Sequence, residues 1–259
     1  MSVLTAVYGI VVRDLSRALR QKSRLLGGVT RPFMWLLLVG TGYNAIARVE
    51  GVSSYHAFIY PGVLVMAVLF GAMLTAISTV YDREFGMLRL MLVSPLGIPA
   101  MLAGRAAAAT AIGLLQGAVV LICMPLFVPV TALQLLAGFG ALAVGAAASS
   151  VLGLLVAAPL RSVENFAGVI NIVLFPLLFL SGALYPTAGM PFALRSLALV
   201  NPVSYAVDLT RVALGQGAEF GATRSLLILG ATTAIAFTLT AVIFDPERRL
   251  VARTRSARR

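Results

Sequence analysis

The sequence predicts an all-α integral membrane protein with six transmembrane helices. Of its 259 residues, 60% are apolar and only 11% are charged, and the mean hydropathy is +0.98. Soluble domains average roughly 45–50% apolar and about 25% charged residues. In addition, charge-free apolar runs long enough to cross a bilayer recur along the chain. Because hydrocarbon offers the backbone no hydrogen-bond partners, each of these runs must be helical.

The predicted spans are separated by charged or proline-containing segments. Residues 106–160 include no acidic or basic residue, which is enough chain for two spans, and Pro125 and Pro129 mark the break between them. We predict one transmembrane domain over residues 1–259. It comprises an N-terminal helix at 1–30, spans at about 32–47, 59–80, 101–124, 133–158, 169–185 and 225–244, and a basic tail at 245–259.

The basic residues predict the orientation of these spans. The formal net charge is +11, and 16 of the 20 Lys and Arg residues fall on the side of the membrane that carries both termini. The opposite side carries Arg48, Arg195, Arg211 and Arg224. Because positively charged segments stay in the cytoplasm, both termini are predicted to be cytoplasmic. This topology, with attraction to the membrane surface, explains most of the net charge, so no nucleic-acid partner is predicted.

The scarce residue types exclude several classes of enzyme. The chain has one Lys (Lys22), one His (His56) and one Cys (Cys123). Lys22 has no glycine frame of the type GxxxxGK[ST], so the chain has no phosphate-binding loop of that kind. One Cys and one His are too few for a structural zinc site, a disulfide or a Cys/His nucleophilic pair. We therefore predict no catalytic residue, no metal site and no cofactor bound by this chain.

The N-terminal segment is predicted to be an amphipathic helix at the membrane interface. Its arginines recur at spacings of 4, 3 and 4 residues, which places them on one narrow stripe of a helix, with apolar side chains opposite. The stripe consists of Arg13, Arg17, Arg20 and Arg24. We expect it to face lipid headgroups and the cytoplasm. The helix is either a simple anchor or also a docking surface for a cytosolic partner.

A second cytoplasmic element is predicted between spans two and three. Three alternating charges, Asp82, Arg83 and Glu84, are followed by an apolar stretch that ends at Pro95. A solvated loop would not need that apolar stretch. The segment is therefore predicted to be a helix with one face packed either on its own bundle or on a partner chain.

The segment between spans five and six is predicted to form short re-entrant helices on the external side. Prolines and glycines interrupt it repeatedly, yet it is too apolar for a free loop. Such backbone survives at membrane depth only where protein buries it or where it lines a cavity. Asp208 and Arg211 are three residues apart on a helix and are expected to pair. The segment is either a structural plug or a gate for cargo.

Polar residues inside the spans are the candidates for a transport pathway. Most such side chains hydrogen-bond a neighbouring helix, and the bulkier amides Gln116 and Asn171 are the best candidates for a cavity. Span four also carries a ridge of small residues that should let another helix approach closely, either within the chain or at a subunit interface. The ridge consists of Ala141, Gly145, Ser149, Gly153 and Ala157.

Together these features resemble the permease subunits of ABC-2 type exporters, a family that includes drug, polysaccharide and nodulation-factor export permeases. The resemblance covers essentially the whole chain and rests on the N-terminal helix, the six spans and the order of several degenerate motifs. The motifs are Asp82-Arg83-Glu84-Phe85-Gly86, Ser94-Pro95, Gly104-Arg105, and the block Ser181-Gly182, Tyr185-Pro186, Pro191, Asn201-Pro202, Tyr205, Asp208 and Arg211.

The resemblance implies a half-transporter in the bacterial plasma (inner) membrane that exports an amphiphilic, drug-like, lipid or glycan substrate. It implies a dimer with a second copy of the chain, paired with two copies of a separate ATPase subunit that binds ATP and Mg. The residues implied in ATPase coupling are Asp82, Arg83, Glu84, Phe85, Gly86, Leu88, Ser94 and Pro95. Those implied in an external gate are Ser181, Gly182, Tyr185, Pro186, Asn201, Pro202, Tyr205, Asp208 and Arg211.

The alternative function is an ion-coupled secondary transporter. Such a protein normally carries an ionisable group at mid-membrane to couple protons or sodium. The predicted spans carry none apart from Arg105, which lies near one end of span three. The sequence therefore favours the ATP-driven exporter.

Overall fold

The described part of the chain is helical throughout. A computed structural model describes residues 3–44, 55–87 and 97–256, and all of their side chains except those of residues 24, 44 and 245–256. Within these ranges there is no β-strand, which confirms the predicted all-α class.

Five helical stretches in the described ranges are long and apolar enough to cross a membrane. They are Leu25–Tyr43, Tyr55–Glu84, Ile98–Leu126, Ala132–Ala157 and Ala222–Phe244. The apolar helix Val163–Phe179 overlaps the predicted fifth span, 169–185, but has only 17 residues. The exact number of six spans therefore stays a prediction.

The helices follow one another with short connections. A π-helix, Trp35–Gly40, lies between α2 and α3, and single 3₁₀ turns occur at Met124–Leu126 and Thr187–Gly189. The α-helices are α1 (Val3–Arg20), α2 (Lys22–Met34), α3 (Thr41–Asn44), α4 (Tyr55–Thr75), α5 (Ile77–Glu84), α6 (Ile98–Ile122), α7 (Ala132–Ala157), α8 (Val163–Phe179), α9 (Phe192–Val200), α10 (Pro202–Ala213) and α11 (Ala222–Ser256).

The N-terminal helices are interrupted at two places. Gln21 leaves the helical range with a ψ of 67°, which separates α1 from α2. Pro32 inside α2 has no N–H to donate, and the π-helix begins one turn later. The predicted first span, 32–47, thus begins inside α2, and residues 45–47 lie outside the described residues.

Helix α4 forms the centre of the bundle. Within Tyr55–Glu84, 83% of the most apolar stretch of 18 residues is buried. Helix α4 packs against both α6 and α7. A helix without a polar face is typical of this position. The phenol of buried Tyr60 donates a hydrogen bond to the carbonyl of Val120 on α6 at 2.8 Å, so its polar group is satisfied within the apolar core.

The ridge of small residues on α7 packs inside the chain. Its members are buried, and a Cβ atom on Gly153 would lie 2.8 Å from the Cα of Met73 on α4. At Gly145, the nearest atom to such a Cβ would be the Cβ of Ala206 on α10, at 3.5 Å. The prediction of a close helix approach is confirmed, and the partners are α4 and α10 of the same chain.

We expect Gly153→Ala to destabilise the bundle by about 1–3 kcal/mol, because the added methyl group overlaps the backbone of α4. The matched control is Gly168→Ala on α8, where the new Cβ meets nothing within 4 Å and a gain of up to about 1 kcal/mol is expected from helix propensity. Melting temperatures of the two purified variants in detergent check this. Equal melting temperatures would show that α4 and α7 are not in close contact at Gly153.

The chain after α8 forms two short helices and one long helix. Helices α9 and α10 lie between α8 and α11, where short helices are predicted. Helix α11 continues without interruption from Ala222 to Ser256. The predicted basic tail at 245–259 is therefore, as far as Ser256, an extension of the last helix rather than a separate segment.

Candidate functional site

The first candidate site is a buried cluster of charges around Asp82, at the end of α5. The Asp82 side chain has no exposed surface. Its Oδ2 accepts hydrogen bonds from Nη2 of Arg105 at 2.6 Å and from Nη2 of Arg13 at 3.0 Å, and its Oδ1 accepts one from Nη1 of Arg17 at 2.9 Å. One carboxylate thus joins α1, α5 and α6.

Helix geometry explains how the cluster forms. Arg13 and Arg17 are four residues apart on α1 and therefore share one face. Arg13 also holds the buried Asp14 at 2.7 Å. Burial alone would lower the pKa of Arg13, but the carboxylates of Asp14 and Asp82 more than offset it, so this pKa lies above its ordinary value. Three guanidinium groups, including that of Arg105, face two carboxylates, so the cluster carries one excess positive charge.

The predicted orientation of the arginine stripe is wrong for two of its members. Arg13 and Arg17 turn toward the bundle, because a buried carboxylate is stable only with cationic partners. Arg20 is exposed as expected, and the side chain of Arg24 lies outside the described residues. The apolar side of the helix faces away from the bundle, and its members Leu4 and Tyr8 are exposed to 82% and 69%.

Arg83 and Glu84 attach the end of α5 to the connection between α7 and α8. Nη1 of Arg83 donates hydrogen bonds to the carbonyls of Ala157 (3.3 Å), Ala158 (2.6 Å) and Leu160 (2.5 Å), at the end of α7 and just after it. Oε2 of Glu84 accepts the backbone N–H of Val163 at 2.8 Å, at the start of α8. The positive charge of Arg83 suits the carbonyl groups at the end of α7, and the negative charge of Glu84 suits the N–H groups at the start of α8.

Three consecutive residues therefore fix one point of the chain to four other helices. Asp82 reaches α1 and α6, Arg83 reaches the end of α7, and Glu84 reaches the start of α8. The Asp82 side chain is completely enclosed, so it offers no surface of its own, and the coupling role implied for it stays a prediction. Arg83 is also turned inward. We call Asp82, Arg83 and Glu84 the charged hub.

The chain leaves the charged hub with an exposed apolar surface. The rings of Tyr81 and Phe85 lie 4.3 Å apart, and Phe85 and Met87 are exposed to 61% and 44%. Gly86 has a φ of +75°, which favours glycine, and its N–H bonds the carbonyl of Arg83 to close the last turn. The predicted coupling residues Leu88, Ser94 and Pro95 lie outside the described residues.

The second candidate site is the connection between α8 and α11. Asp208 is buried, and its Oδ1 accepts the backbone N–H groups of Glu219 (2.6 Å) and Phe220 (3.2 Å), while its Oδ2 accepts the hydroxyl of Ser225 (2.8 Å). The carboxylate thereby fixes the loop that precedes α11 onto α10.

The expected pairing of Asp208 with Arg211 is wrong. The described contacts of these two residues include no ion pair between them, because the backbone N–H groups of the loop occupy the carboxylate instead. Arg211 donates from Nη2 to the carbonyl of Gly182 at 2.7 Å, and its guanidinium lies 4.3 Å from the ring centroid of Phe58. Burial lowers the pKa of Arg211, and Glu219 and Asp208 partly offset this.

The other predicted gate residues mostly hold this segment together. Asn201 donates from Nδ2 to the carbonyl of Leu177 (2.6 Å) and caps α10 by accepting the N–H of Val203 (3.0 Å). The remaining residues are buried Ser181, which bonds the carbonyl of Leu178; Gly182, with a φ of +75°; Tyr205, which bonds the carbonyl of Leu199; half-buried Pro202; and exposed Tyr185 and Pro186.

The two candidate pathway amides lie in different surroundings. Gln116 on α6 is buried beside a cavity of about 10 Å³, room for one water molecule, and its Oε1 has no hydrogen-bond partner among the described residues. Asn171 is exposed on α8, and its Nδ2 bonds the carbonyl of Ala167 at 3.0 Å. The described contacts do not bring the two amides together, and a pathway role for either stays a prediction.

Removing the Asp208 carboxylate is expected to loosen the loop before α11. Asp208→Ala leaves two backbone N–H groups and one hydroxyl without their partner, which we expect to cost about 1–3 kcal/mol. Ser225→Ala removes a single bond and should cost about 1 kcal/mol. Limited proteolysis measures this, with faster cleavage between residues 214 and 221 expected for Asp208→Ala. Cleavage rates equal to those of the unaltered protein would show that the carboxylate does not hold the loop.

The sequence reasoning missed several members of these sites. Asp14, Thr79 and Ser225 were not singled out, yet each bonds a central charge. One signal was available: in a chain with so few charges, an acid at the end of one span and Arg105 at the start of the next are natural partners. The serine and threonine carry no comparable signal, because most hydroxyls in helices bond their own backbone.

The fold and these buried charges define an all-helical, multi-pass membrane protein. Residues 5–214 match the ABC-2 type transporter family, so the chain belongs to that family. Permeases of this family lack an ATPase site of their own and normally work with a separate ATP-binding subunit.

Curated relatives agree with this assignment. The chain is 29% identical over 217 residues to the transport permease ycf38 of Pyropia yezoensis, covering 81% of this chain and 74% of the relative. It is 30% identical over 196 residues to nodulation protein J of Rhizobium leguminosarum bv. viciae, covering 74% and 75%. A match to the multidrug ABC transporter permease YbhR of Escherichia coli has 28% identity and covers 73% of this chain but half of the relative.

Proposed function

We propose that this chain is the membrane-spanning subunit of an ATP-driven exporter. Two copies would form the translocation path, each coupled to one copy of a separate ATPase that binds ATP and Mg. The observation that carries the proposal is the charged hub, in which one point of the chain is fixed to four other helices. The absence of a phosphate-binding loop from the sequence agrees with a motor on another polypeptide.

The segment at residues 82–95 would transmit the movement of the ATPase. Phe85, Met87 and Tyr81 offer apolar surface at the point where the chain leaves the hub. A displacement of this segment would reach α1 and α6 through Asp82, and α7 and α8 through Arg83 and Glu84. The ATPase would thereby bias the permease between two conformations, provided that it binds them with different affinities.

In the proposed topology both termini are cytoplasmic and α8 is the remaining span. Helix α1 would lie at the cytoplasmic interface with its exposed apolar residues toward lipid. Helices α9 and α10 would dip into the outer leaflet, which fits the buried Asp208 and Arg211 because each has a hydrogen-bond partner within the chain. The location would be a bacterial plasma membrane.

The proposed cargo is an amphiphilic molecule, such as a drug-like compound, a lipid or a glycan. The names of the relatives, which refer to multidrug transport and nodulation, support this class. The connection between α8 and α11 would close the external end of the path, with Tyr185 and Pro186 exposed there.

Co-purification tests the proposal directly. The chain would be expressed with an ABC-type ATPase from the same genome, captured by a tag on the permease, and assayed for bound ATPase and for ATP hydrolysis. A stable complex that hydrolyses ATP is expected, and the permease alone should show no hydrolysis. If the purified chain binds no ATPase and instead drives uptake with an ion gradient, it is a secondary transporter.

A further inference from the structure

A cavity opens between the end of α1 and α5, beside the charged hub. It has a volume of about 260 Å³ and is lined by Arg17, Gln21, Ile77, Ser78 and Tyr81. Drug-sized ligands occupy pockets of about 300–1,000 Å³, so this cavity suits a smaller polar group. Four of its five lining side chains carry hydrogen-bonding groups, of which the Ser78 hydroxyl already donates to the carbonyl of Thr75 at 2.8 Å and so offers the cavity only its oxygen.

The charges around the cavity favour an anion. Arg17 uses one N–H on Asp82, and a guanidinium has five N–H donors. The adjoining cluster has three arginines against two acids, and the exposed Arg20 and Lys22 flank Gln21 in the chain. The phenol of Tyr81 adds a neutral donor. Phosphate oxygens are the acceptors that such a set of donors recognises.

The depth of the cavity in the fold matches a lipid headgroup. Ser78 lies six residues before Glu84, where the span Tyr55–Glu84 ends, which corresponds to about 9 Å along a helix. The interfacial layer is about 5–8 Å thick on each side of the hydrocarbon, so Ser78 would lie at the inner boundary of that layer, just below the phosphates. Helix α1, which supplies Arg17, turns the apolar residues Leu4, Tyr8 and Leu19 outward, where acyl chains would cover them.

We propose that this cavity binds the phosphate of an anionic phospholipid headgroup, with Arg17 as the charged partner and Gln21, Ser78 and Tyr81 around the headgroup. A bound lipid would occupy the space between α1 and α5 and so hold α1 in place beside the charged hub. This inference stands apart from ATP-driven export, since it requires only the fold.

Native mass spectrometry of the detergent-purified chain tests it, with phosphatidylglycerol and phosphatidylcholine of identical acyl chains as the probes. We expect phosphatidylglycerol to be retained at least fivefold more than phosphatidylcholine. Ser78→Leu and Gln21→Leu fill the cavity from two sides without altering any charge, and each should reduce retention of phosphatidylglycerol at least fivefold. Arg161→Gln, which removes an exposed charge on the connection between α7 and α8, should change it less than twofold.

Three results would overturn the proposal. One is equal retention of the two lipids by the unaltered protein, which is decisive whether or not the variants fold. Another is unchanged preference for phosphatidylglycerol in both cavity-filling variants. The last is that soluble glycerol 3-phosphate displaces the lipid and raises the melting temperature as much as phosphatidylglycerol does, which would assign the cavity to a soluble phosphate instead.

Discussion

Asp82→Asn is expected to destabilise the protein by about 3–5 kcal/mol, the usual range for removing one partner of a buried ion pair. Arg13, Arg17 and Arg105 would lose the carboxylate that they share, and Arg105 is only 2% exposed. For a chain of this size the change corresponds to a drop in melting temperature of roughly 6–20 °C. Thermal denaturation of the purified variant in detergent measures it.

The control for Asp82→Asn is Glu164→Gln, the same loss of a carboxylate at an exposed position on α8. It should shift stability by no more than about 0.5 kcal/mol. The double variant Asp82→Asn with Arg105→Gln should recover part of the loss, because it removes the most deeply buried cation of the cluster. A melting temperature of Asp82→Asn within one or two degrees of the unaltered protein would contradict the geometry of the charged hub.

Glu84→Arg is expected to abolish ATP-driven transport while the protein still folds and inserts. The substitution removes the acceptor of the Val163 N–H and places a positive charge against the start of α8, at a cost of about 0.5–2 kcal/mol. The end of α5 would then no longer be fixed to α8. Transport by the complex and its ATP hydrolysis are the two measurements, and hydrolysis is expected to lose its dependence on the permease.

The matched control for this charge reversal is Glu164→Arg. Glu164 is exposed in the first turn of α8, the helix whose first N–H group bonds Glu84. An arginine at position 164 therefore meets the same helix end, but Glu164 does not hold α5 in place. It should transport at close to the normal rate. Normal transport by Glu84→Arg, or equal loss in both variants, would remove Glu84 from the coupling path.

The sequence was sufficient for the fold class and most helix positions because the membrane imposes them. A run of about twenty apolar residues has no stable alternative to a helix in lipid. Helices α6 and α7 accordingly lie close to the predicted spans. Span one was harder to place, since Pro32 and the π-helix at Trp35–Gly40 alter the helical register locally.

The sequence was a poor guide to which charges meet. The stripe of Arg13 and Arg17 has the spacing of a solvent-facing surface. Nothing in that spacing shows that Asp82, a buried acid 65 residues further along the chain, bonds Arg17. Likewise, the three-residue separation of Asp208 and Arg211 suits an ion pair, but backbone N–H groups of the loop before α11 bond the Asp208 carboxylate instead. Such long-range partners depend on tertiary packing, which local periodicity does not encode.

The central claim is that this chain is driven by a separate ATPase acting through the charged hub. Its most direct test is ATP hydrolysis by the permease and its ATPase reconstituted together in proteoliposomes, compared with the ATPase alone and with the Glu84→Arg complex. The account predicts hydrolysis that changes severalfold when the unaltered permease is present and stays at the level of the ATPase alone with Glu84→Arg. Hydrolysis that is the same in all three preparations would contradict it.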